Sequence, residues 1–339
     1  MKWARDHAAE LALAAREVSR RDVRLVAIDR RSDRVAVVPF AQLPALLDPG
    51  DVVVVNDAAT LPGSLRGMTG AGAAFELRLS APIDGRILEG VVFGTGDWRT
   101  RTEDRPEPPV LAVGARVQLG AIAARVMAAT GRRVTLEALA TTAAVWELVY
   151  RAGAPVQYAH RSEPLPLYAV QTAYAARPWA AEMPSAGRPL TWSVLLGLRR
   201  GGIELATLTH AAGLSSTGDA ALDEALPWPE RYEIPVRTAA VIARARSGGS
   251  RVIAIGTTVV RALEASGGVA GAGIATLRLG GGDALRVVDG LVSGLHVPGE
   301  SHFELLRAFA PRERLTRALA LAAASGLSSH ELGDACSIL

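Results

Sequence analysis

The first part of the chain alternates short apolar runs with polar turns. Residues 23–28 and 35–38 are rich in β-branched side chains and flank a polar stretch, which predicts a β-hairpin. Residues 52–55 are four consecutive valines. Such a run is typical of a strand buried on both faces, as in the parallel part of an α/β sheet. Asn56 and Asp57 follow it, at the end of a strand where α/β folds place their ligands.

Between about residues 65 and 154 the pattern changes to short runs in which apolar and polar residues alternate. Turns rich in glycine and proline separate these runs, as in small β-barrels and sandwiches. We therefore predict an α/β main domain of residues 1–63 and 156–339, with an all-β, barrel-like domain of residues 64–155 inserted into it. The strands expected in the inserted domain cover residues 75–79, 86–93, 116–119 and 133–136.

The α/β pattern returns in the last part of the chain. Residues 251–255 predict a strand that leads into a helix at 259–265. Asp289 and Gly290 predict the tight turn of a β-hairpin. Helices are expected at residues 190–200, 237–246 and 303–327, with a strand at 203–209. Charged residues interrupt the N-terminal segment, which predicts a short amphipathic helix rather than a signal peptide.

Composition indicates a globular protein with a local rather than a global charge signal. Of the 339 residues 49% are hydrophobic and 21% are charged, and the formal net charge is only +3, so contact with nucleic acid requires a local patch. The single cysteine, Cys336, excludes an intrachain disulfide and a multi-cysteine metal site. No apolar stretch is long enough for a membrane helix. These features predict a cytoplasmic protein without a membrane segment.

The junction from strand to helix at Gly256, Thr257 and Thr258 is the sharpest local feature. Glycine allows a close turn, a threonine can cap the helix, and the free amides of a first helical turn bind anions. A ligand carboxylate or phosphate fits such a seat. An ordinary capped turn between strand and helix explains the same pattern.

The acid-base candidates are His210, Glu230 and His296. The two histidines follow predicted strands, and Glu230 lies in a stiff turn with aromatic neighbours, where burial could raise its pKa toward that of a useful base. Structural roles are the alternative for all three. The six histidines show no close helical spacing, so we expect no metal site.

The motifs resemble those of one known family, the S-adenosylmethionine:tRNA ribosyltransferase-isomerases of queuosine biosynthesis. Residues 251–258 read RVIAIGTT and continue with Arg261 and Glu264, which is similar to the most recognisable stretch of that family. Further matches occur in the same order along the whole chain. They lie at residues 50–62, 165–175, 184–187, 288–298 and 333–335.

The resemblance implies an α/β domain with an inserted barrel and an unusual transfer reaction. S-adenosylmethionine, a co-substrate, would give its ribosyl carbons to the aminomethyl group of a 7-deazaguanine base in tRNA, releasing adenine and methionine and forming epoxyqueuosine. Carbon 5′ beside the sulfonium is acidic, so a base must remove its proton. The implied roles are proton transfer for His210, Glu230 and His296, donor binding for Gly256, Thr257, Thr258 and Arg261, and substrate binding for Asn56, Asp57, Gln171 and Thr172.

Several positions depart from the family pattern. A histidine is replaced by Pro189, a lysine by Gly299 and an arginine by Ala59. The missing cations predict weaker recognition of tRNA, unless an arginine patch at Arg99, Arg101 and Arg105 compensates. Those arginines could equally solvate a loop. Two alternatives therefore stay open: a diverged relative that acts on a small molecule or another nucleoside, and a non-catalytic protein that binds nucleosides or RNA.

Overall fold

A computed structural model describes residues 17–158, 163–329 and 332–339 of the chain. The predicted N-terminal helix lies outside the described residues, as do His7, His160 and His330. The described part contains 17 strands and seven α-helices. The strands are β1 (Arg24–Ile28), β2 (Val35–Pro39), β3 (Val52–Asn56), β4 (Ala58–Thr60), β5 (Ser64–Thr69), β6 (Ala74–Leu79), β7 (Ile87–Phe93), β8 (Arg116–Leu119), β9 (Ile122–Thr130), β10 (Arg133–Ala138), β11 (Arg177–Ala180), β12 (Glu204–His210), β13 (Glu230–Ile234), β14 (Val252–Ile255), β15 (Gly271–Ala275), β16 (Gly290–Gly294) and β17 (Ala335–Ile338). The helices are α1 (Thr142–Ala152), α2 (Trp192–Arg200), α3 (Ala220–Glu224), α4 (Val236–Ser247), α5 (Thr257–Ser266), α6 (Ser301–Leu306) and α7 (Arg312–Ala324), and short 3-10 helices cover Phe40–Leu46, Thr102–Asp104, Leu167–Val170 and Ser185–Gly187.

The main sheet has nine strands in the order β15-β13-β12-β3-β14-β16-β17-β1-β2. Its central four strands, β12, β3, β14 and β16, are mutually parallel. Helices cover both faces, so β3 must be apolar on both sides. Val52 and Val54 belong to the core under α4 and α5, whereas Val53 and Val55 belong to the core under α2. The prediction of a doubly buried strand at residues 52–55 is confirmed.

Six antiparallel strands form a closed barrel in the order β10-β7-β6-β5-β8-β9. Helix α1 packs on this barrel through Val145, Leu148 and Val149, which share its hydrophobic core. The predicted fold class, an α/β main domain with an inserted barrel-like domain, is confirmed. The exact domain boundaries after residues 63 and 155 stay a prediction. Two barrel strands, β5 and β9, were not predicted. For β9 the reason is its alanine-rich sequence, which has little β-propensity.

The sequence prediction is wrong for the hairpin at Asp289 and Gly290. Gly290 begins β16, which runs parallel to β14. The Asp289 carboxylate accepts the Val252 N–H at 2.8 Å, and its own N–H donates to the Val252 carbonyl at 2.8 Å. Asp289 thus fastens β16 beside β14 instead of turning the chain. The C-terminal strand β17, which includes the buried Cys336, was also missed.

Candidate active site

The carboxyl ends of the parallel strands meet at one edge of the main sheet, and a cavity of about 770 Å³ opens there. Gly256 follows β14 and Gly294 ends β16, and both line the cavity. Ligands of open α/β sheets bind at this edge. The lining comes mainly from residues 182–186, 212–216, 256–258 and 293–302, with Tyr158, Asp223, Leu226, Glu230, Arg261 and Leu305.

Helix α5 begins at the cavity. Gly256, which precedes it, has a φ of +93°, a conformation that side-chain-bearing residues rarely adopt. The first amides of a helix have no intrahelical partner and carry partial positive charge. Gly256, Thr257 and Thr258 all line the cavity, as the prediction of an anion seat requires. Their role in binding the donor stays a prediction.

Arg261 lies one turn further along α5 and is almost fully buried. Its Nε donates to the Leu277 carbonyl at 3.2 Å, and its Nη2 donates to the carbonyls of Trp228 and Ala275, each at 3.0 Å. Its Nη1 contacts the Glu230 carboxylate. A guanidinium has five N–H groups, so one Nη1 hydrogen is left for a ligand. Most of the binding capacity of Arg261 is therefore used within the protein.

Glu230 is the partner of Arg261 and lines the cavity. It also accepts the Gly213 N–H at 2.6 Å. Burial raises the pKa of Glu230, and the Arg261 charge and the Gly213 amide oppose that rise. The short contact with Arg261 marks an ion pair. Glu230 is thus both a cavity group and half of a buried ion pair.

His210 lies behind this pair and does not line the cavity. Its side chain is fully buried, and its Nε2 is 3.6 Å from the Glu230 carboxylate. Neither ring nitrogen has a hydrogen-bond partner among the described residues. Burial, and then the Arg261 charge, lower the pKa of His210 to about 3. His210 is therefore neutral near pH 7, and its role as a proton-transfer group stays a prediction.

His296, which lines the cavity, belongs to a cluster with Ser293, Glu300 and His302. Its Nε2 is 3.0 Å from the Ser293 hydroxyl and its Nδ1 is 3.2 Å from Glu300. The ring stacks on that of His302 with centroids 4.7 Å apart. Burial, and then the neighbouring His296, lower the pKa of His302 to about 3. His296 therefore lies where a proton-transfer group must lie, and its catalytic role stays a prediction.

The four residues predicted to bind substrate do not line the cavity. The Asn56 amide donates to the His210 carbonyl and accepts the N–H groups of Ala58 and His210, so it joins β3 to β12. Asp57 accepts the Thr209 hydroxyl at 2.6 Å. The Gln171 amide pairs with both backbone groups of Thr60. Thr172, the next residue in the sequence, is buried. Substrate binding by these residues stays a prediction.

The arginines proposed as a patch on the inserted domain are engaged within the protein. Arg99 pairs with Asp97 and stacks on Trp98, and Arg101 pairs with Glu103. Arg105 is buried and contacts Glu76. Arg105 therefore cannot meet a phosphate on the surface, and the other two are already paired.

Sequence reasoning missed two cavity residues that the structure brings forward, Glu182 and Tyr158. Glu182 accepts the Ser215 N–H at 2.8 Å and contacts the Tyr158 hydroxyl. His302 was one of the six histidines but was not singled out. A carboxylate just before the Pro184-to-Gly187 motif was the available signal for Glu182, but only the fold shows that it faces the cavity.

The described residues contain neither a metal-binding cluster nor a helix that could span a membrane. In residues 17–158, 163–329 and 332–339, no group of three or more His, Cys, Asp or Glu side chains is arranged to hold a metal ion. Over the same ranges, every helix falls short of the length and apolar character needed to cross a membrane.

Known proteins match this chain over almost its whole length. The family model described as "Queuosine biosynthesis protein" matches residues 7–338. The S-adenosylmethionine:tRNA ribosyltransferase-isomerase of Gloeobacter violaceus is 34% identical over 322 residues, which cover 88% of this chain and 85% of that protein. The protein of the same name from Sorangium cellulosum is 32% identical over 361 residues, covering 96% and 95%.

A solved structure has the same fold. The S-adenosylmethionine tRNA ribosyltransferase of Thermotoga maritima superposes with a TM-score of 0.52 at 20% identity, covering 97% of both chains. The family match and the relatives above 30% identity agree with the motifs at residues 251–264. The chain belongs to the queuosine biosynthesis protein family.

Proposed function

We propose that this chain is an S-adenosylmethionine:tRNA ribosyltransferase-isomerase. It transfers the ribosyl moiety of S-adenosylmethionine to a 7-aminomethyl-7-deazaguanine base in tRNA, forms epoxyqueuosine, and releases adenine and methionine. One observation carries the assignment beyond family membership: a single cavity combines the start of α5 with four carboxyl groups and a histidine cluster. A transfer that needs both an anion seat and proton exchange requires that combination. Because its substrate is tRNA, the enzyme works in the cytoplasm.

The start of α5 supplies the seat for the donor carboxylate. The amides at Thr257 and Thr258 and the free Nη1 hydrogen of Arg261 are the groups that an anion would meet. A cavity of about 770 Å³ has the size of a site for a nucleoside joined to an amino acid. S-adenosylmethionine acts here as a substrate that is consumed, and the proposed chemistry needs no metal.

The reaction begins with loss of a proton from carbon 5′ and continues with departure of adenine. The acceptor amine attacks in its neutral form, so the cavity must also take up a proton. Glu182, Glu230 and His296 are within the lining for these exchanges. Leu214, Leu226 and Leu305 make part of the wall apolar, which keeps water out and strengthens electrostatic interactions inside.

Residues behind the lining support it. His210 packs against the Glu230–Arg261 ion pair, and Asn56 ties the end of β12 to β3 and reaches the Thr258 hydroxyl at 3.4 Å. We assign positioning roles to both. Asp57 precedes β4 and Gln171 bonds to Thr60 of β4, and we assign this region, which includes Thr172, to the approach of the tRNA acceptor.

The assignment is tested by product release. The purified chain is incubated with S-adenosylmethionine and either tRNA that carries the deazaguanine base or unmodified tRNA, and adenine and methionine are followed by chromatography. We expect equimolar release only with the modified tRNA. Release with the free deazaguanine base alone would assign a small-molecule acceptor instead, and the absence of release in every case would overturn the proposal.

A further inference from the structure

Four carboxyl groups line the cavity, and their surroundings differ. Asp223 accepts the Thr217 N–H at 2.6 Å, and Glu300 lies 3.2 Å from the His296 ring. Glu230 contacts the guanidinium of Arg261. Glu182 makes no ion pair with any cation in the described part of the chain, although it is half-buried in the cavity wall. A partly desolvated carboxyl group without a cation is costly as an anion, and such groups are used where a proton must move. Glu182 therefore needs a functional explanation that Glu230 does not.

The protein holds one oxygen of Glu182 in place. The Ser215 N–H donates to its Oε1 at 2.8 Å, and the Tyr158 hydroxyl donates to the same atom. The Tyr158 oxygen in turn accepts the Ser216 N–H at 3.3 Å. Both donors meet Oε1, so Oε2 is the oxygen left for a ligand in the cavity. A fixed oxygen beside a free one is the arrangement that a general base requires.

The cations of Arg78 and Arg105 pair with a carboxylate other than Glu182. Arg78 is fully buried and lies over the Tyr158 ring at 5.4 Å, but its Nε donates to Glu76 at 2.7 Å. Arg105 contacts the same Glu76, so both guanidinium groups pair with Glu76 rather than with Glu182. Glu230 lines the same cavity, and the negative charges of the two carboxylates disfavour each other. Burial raises the pKa of Glu182, although the Tyr158 and Ser215 hydrogen bonds and Arg78 oppose the rise.

We propose that Glu182 is the general base of the cavity and that Tyr158 is its positioning residue. This inference rests on the proposed function. Oε2 of Glu182 takes the proton from carbon 5′ of S-adenosylmethionine, the C–H bond breaks, and its electron pair stays on the carbon beside the sulfonium. That pair then forms a double bond to carbon 4′, the bond from carbon 4′ to the ring oxygen breaks, and the oxygen forms a carbonyl at carbon 1′ as the bond to adenine breaks. Adenine leaves with the electron pair of that bond and takes the proton from Glu182, so the carboxylate is regenerated. Glu230 holds Arg261 throughout.

The test compares Glu182→Gln with wild type and with Glu224→Gln, a matched change at an exposed glutamate. We expect Glu182→Gln to lower kcat for adenine release by about a hundred- to ten-thousand-fold, the usual loss for a general base. The KM for S-adenosylmethionine should change little, and Glu224→Gln should match wild type. Hydrogen exchange between carbon 5′ and heavy water should be lost with Glu182→Gln.

A second variant keeps the test decisive if Glu182→Gln does not fold. Tyr158→Phe removes a hydrogen bond that favours the carboxylate, so the acid limb of the kcat profile should move to higher pH. Formate should restore part of the activity of Glu182→Ala. A near-normal kcat in Glu182→Gln overturns the inference. It is also overturned if that variant loses activity but still exchanges hydrogen at carbon 5′ at the normal rate. A wild-type chain that releases no adenine instead overturns the proposed function.

Discussion

Arg261 and Glu230 form a buried pair on which much of the cavity wall depends. The Arg261 guanidinium also donates to three carbonyls, which connect α5 to β15 and to the segment before β13. Removing one partner of a buried pair leaves a charge without compensation and costs about 3 to 5 kcal/mol. We therefore expect Glu230→Gln to lower the free energy of unfolding by that amount in a urea titration. Unchanged stability would show that Arg261 is not held by Glu230.

The ionisation of Glu182 should make the free energy of unfolding depend on pH. A carboxyl group with a pKa higher in the folded than in the unfolded chain keeps its proton longer when folded, so its ionisation destabilises the fold. The stability of wild type relative to Glu182→Gln should therefore fall as pH rises above the ordinary carboxyl pKa, and level off above the folded value. Urea titrations across that range measure the difference. A difference that does not vary with pH would mean that the pKa of Glu182 is not raised.

At the scale of an element, helix α5 has a glycine at each end, so the effect of its first turn on ligand binding can be tested separately from the effect of its last turn. A Cβ at Gly256 would lie 3.5 Å from Ala186, so space is available, but the φ of +93° strains any other residue. Gly267, at the other end, has a φ of +65° and open space around it. We expect Gly256→Ala to weaken binding of S-adenosylmethionine, measured by calorimetric titration. Gly267→Ala should be strained too, yet bind normally.

Two results would contradict that account of α5. Normal affinity in folded Gly256→Ala would remove the anion seat from the start of the helix. An equal loss in Gly267→Ala would show that affinity follows the stability of the helix rather than its first turn.

At the scale of the whole molecule, contact with tRNA requires cations that are free to bind. Arg66, Arg116 and Arg125 are exposed on β5, β8 and β9 and have no ion pair among the described residues, and Arg116 lies directly opposite Arg125. Like charges in that register are unfavourable unless an anion joins them. Arg116→Glu with Arg125→Glu should lower affinity for tRNA and reduce the logarithmic salt slope by about two units.

Arg99→Glu with Arg101→Glu is the control for that double variant, because it changes the net charge equally and both arginines are already paired with carboxylates. It should change the binding of tRNA less at every salt concentration. Equal effects of the two variants in a filter-binding series would mean that only the net charge matters. The weaker recognition predicted from Ala59 and Gly299 can be measured in the same series against a relative that carries both cations.

The sequence predicts the elements of this fold better than its site. Strand β3 and the turn at Gly256 are encoded locally, by four valines and by a glycine with a positive φ that other residues rarely adopt. Glu182 reaches the cavity only because the segment after β11 returns beside Tyr158 and Ser215, which are distant in the chain. Asp289 resembles a hairpin residue, but its carboxylate bonds to β14. Polar residues at strand ends were identified, whereas the side of the sheet that each one faces depends on tertiary packing.

The central claim is that ribosyl carbons of S-adenosylmethionine enter the tRNA base. It is tested most directly with a donor that carries one heavy-isotope label in the ribose and a different label in the methyl group. After reaction with deazaguanine-bearing tRNA, the tRNA is digested and its nucleosides are analysed by mass spectrometry. The account predicts the ribose label in the modified nucleoside and the methyl label in released methionine. A methyl label in the nucleoside, or no label there, would contradict it.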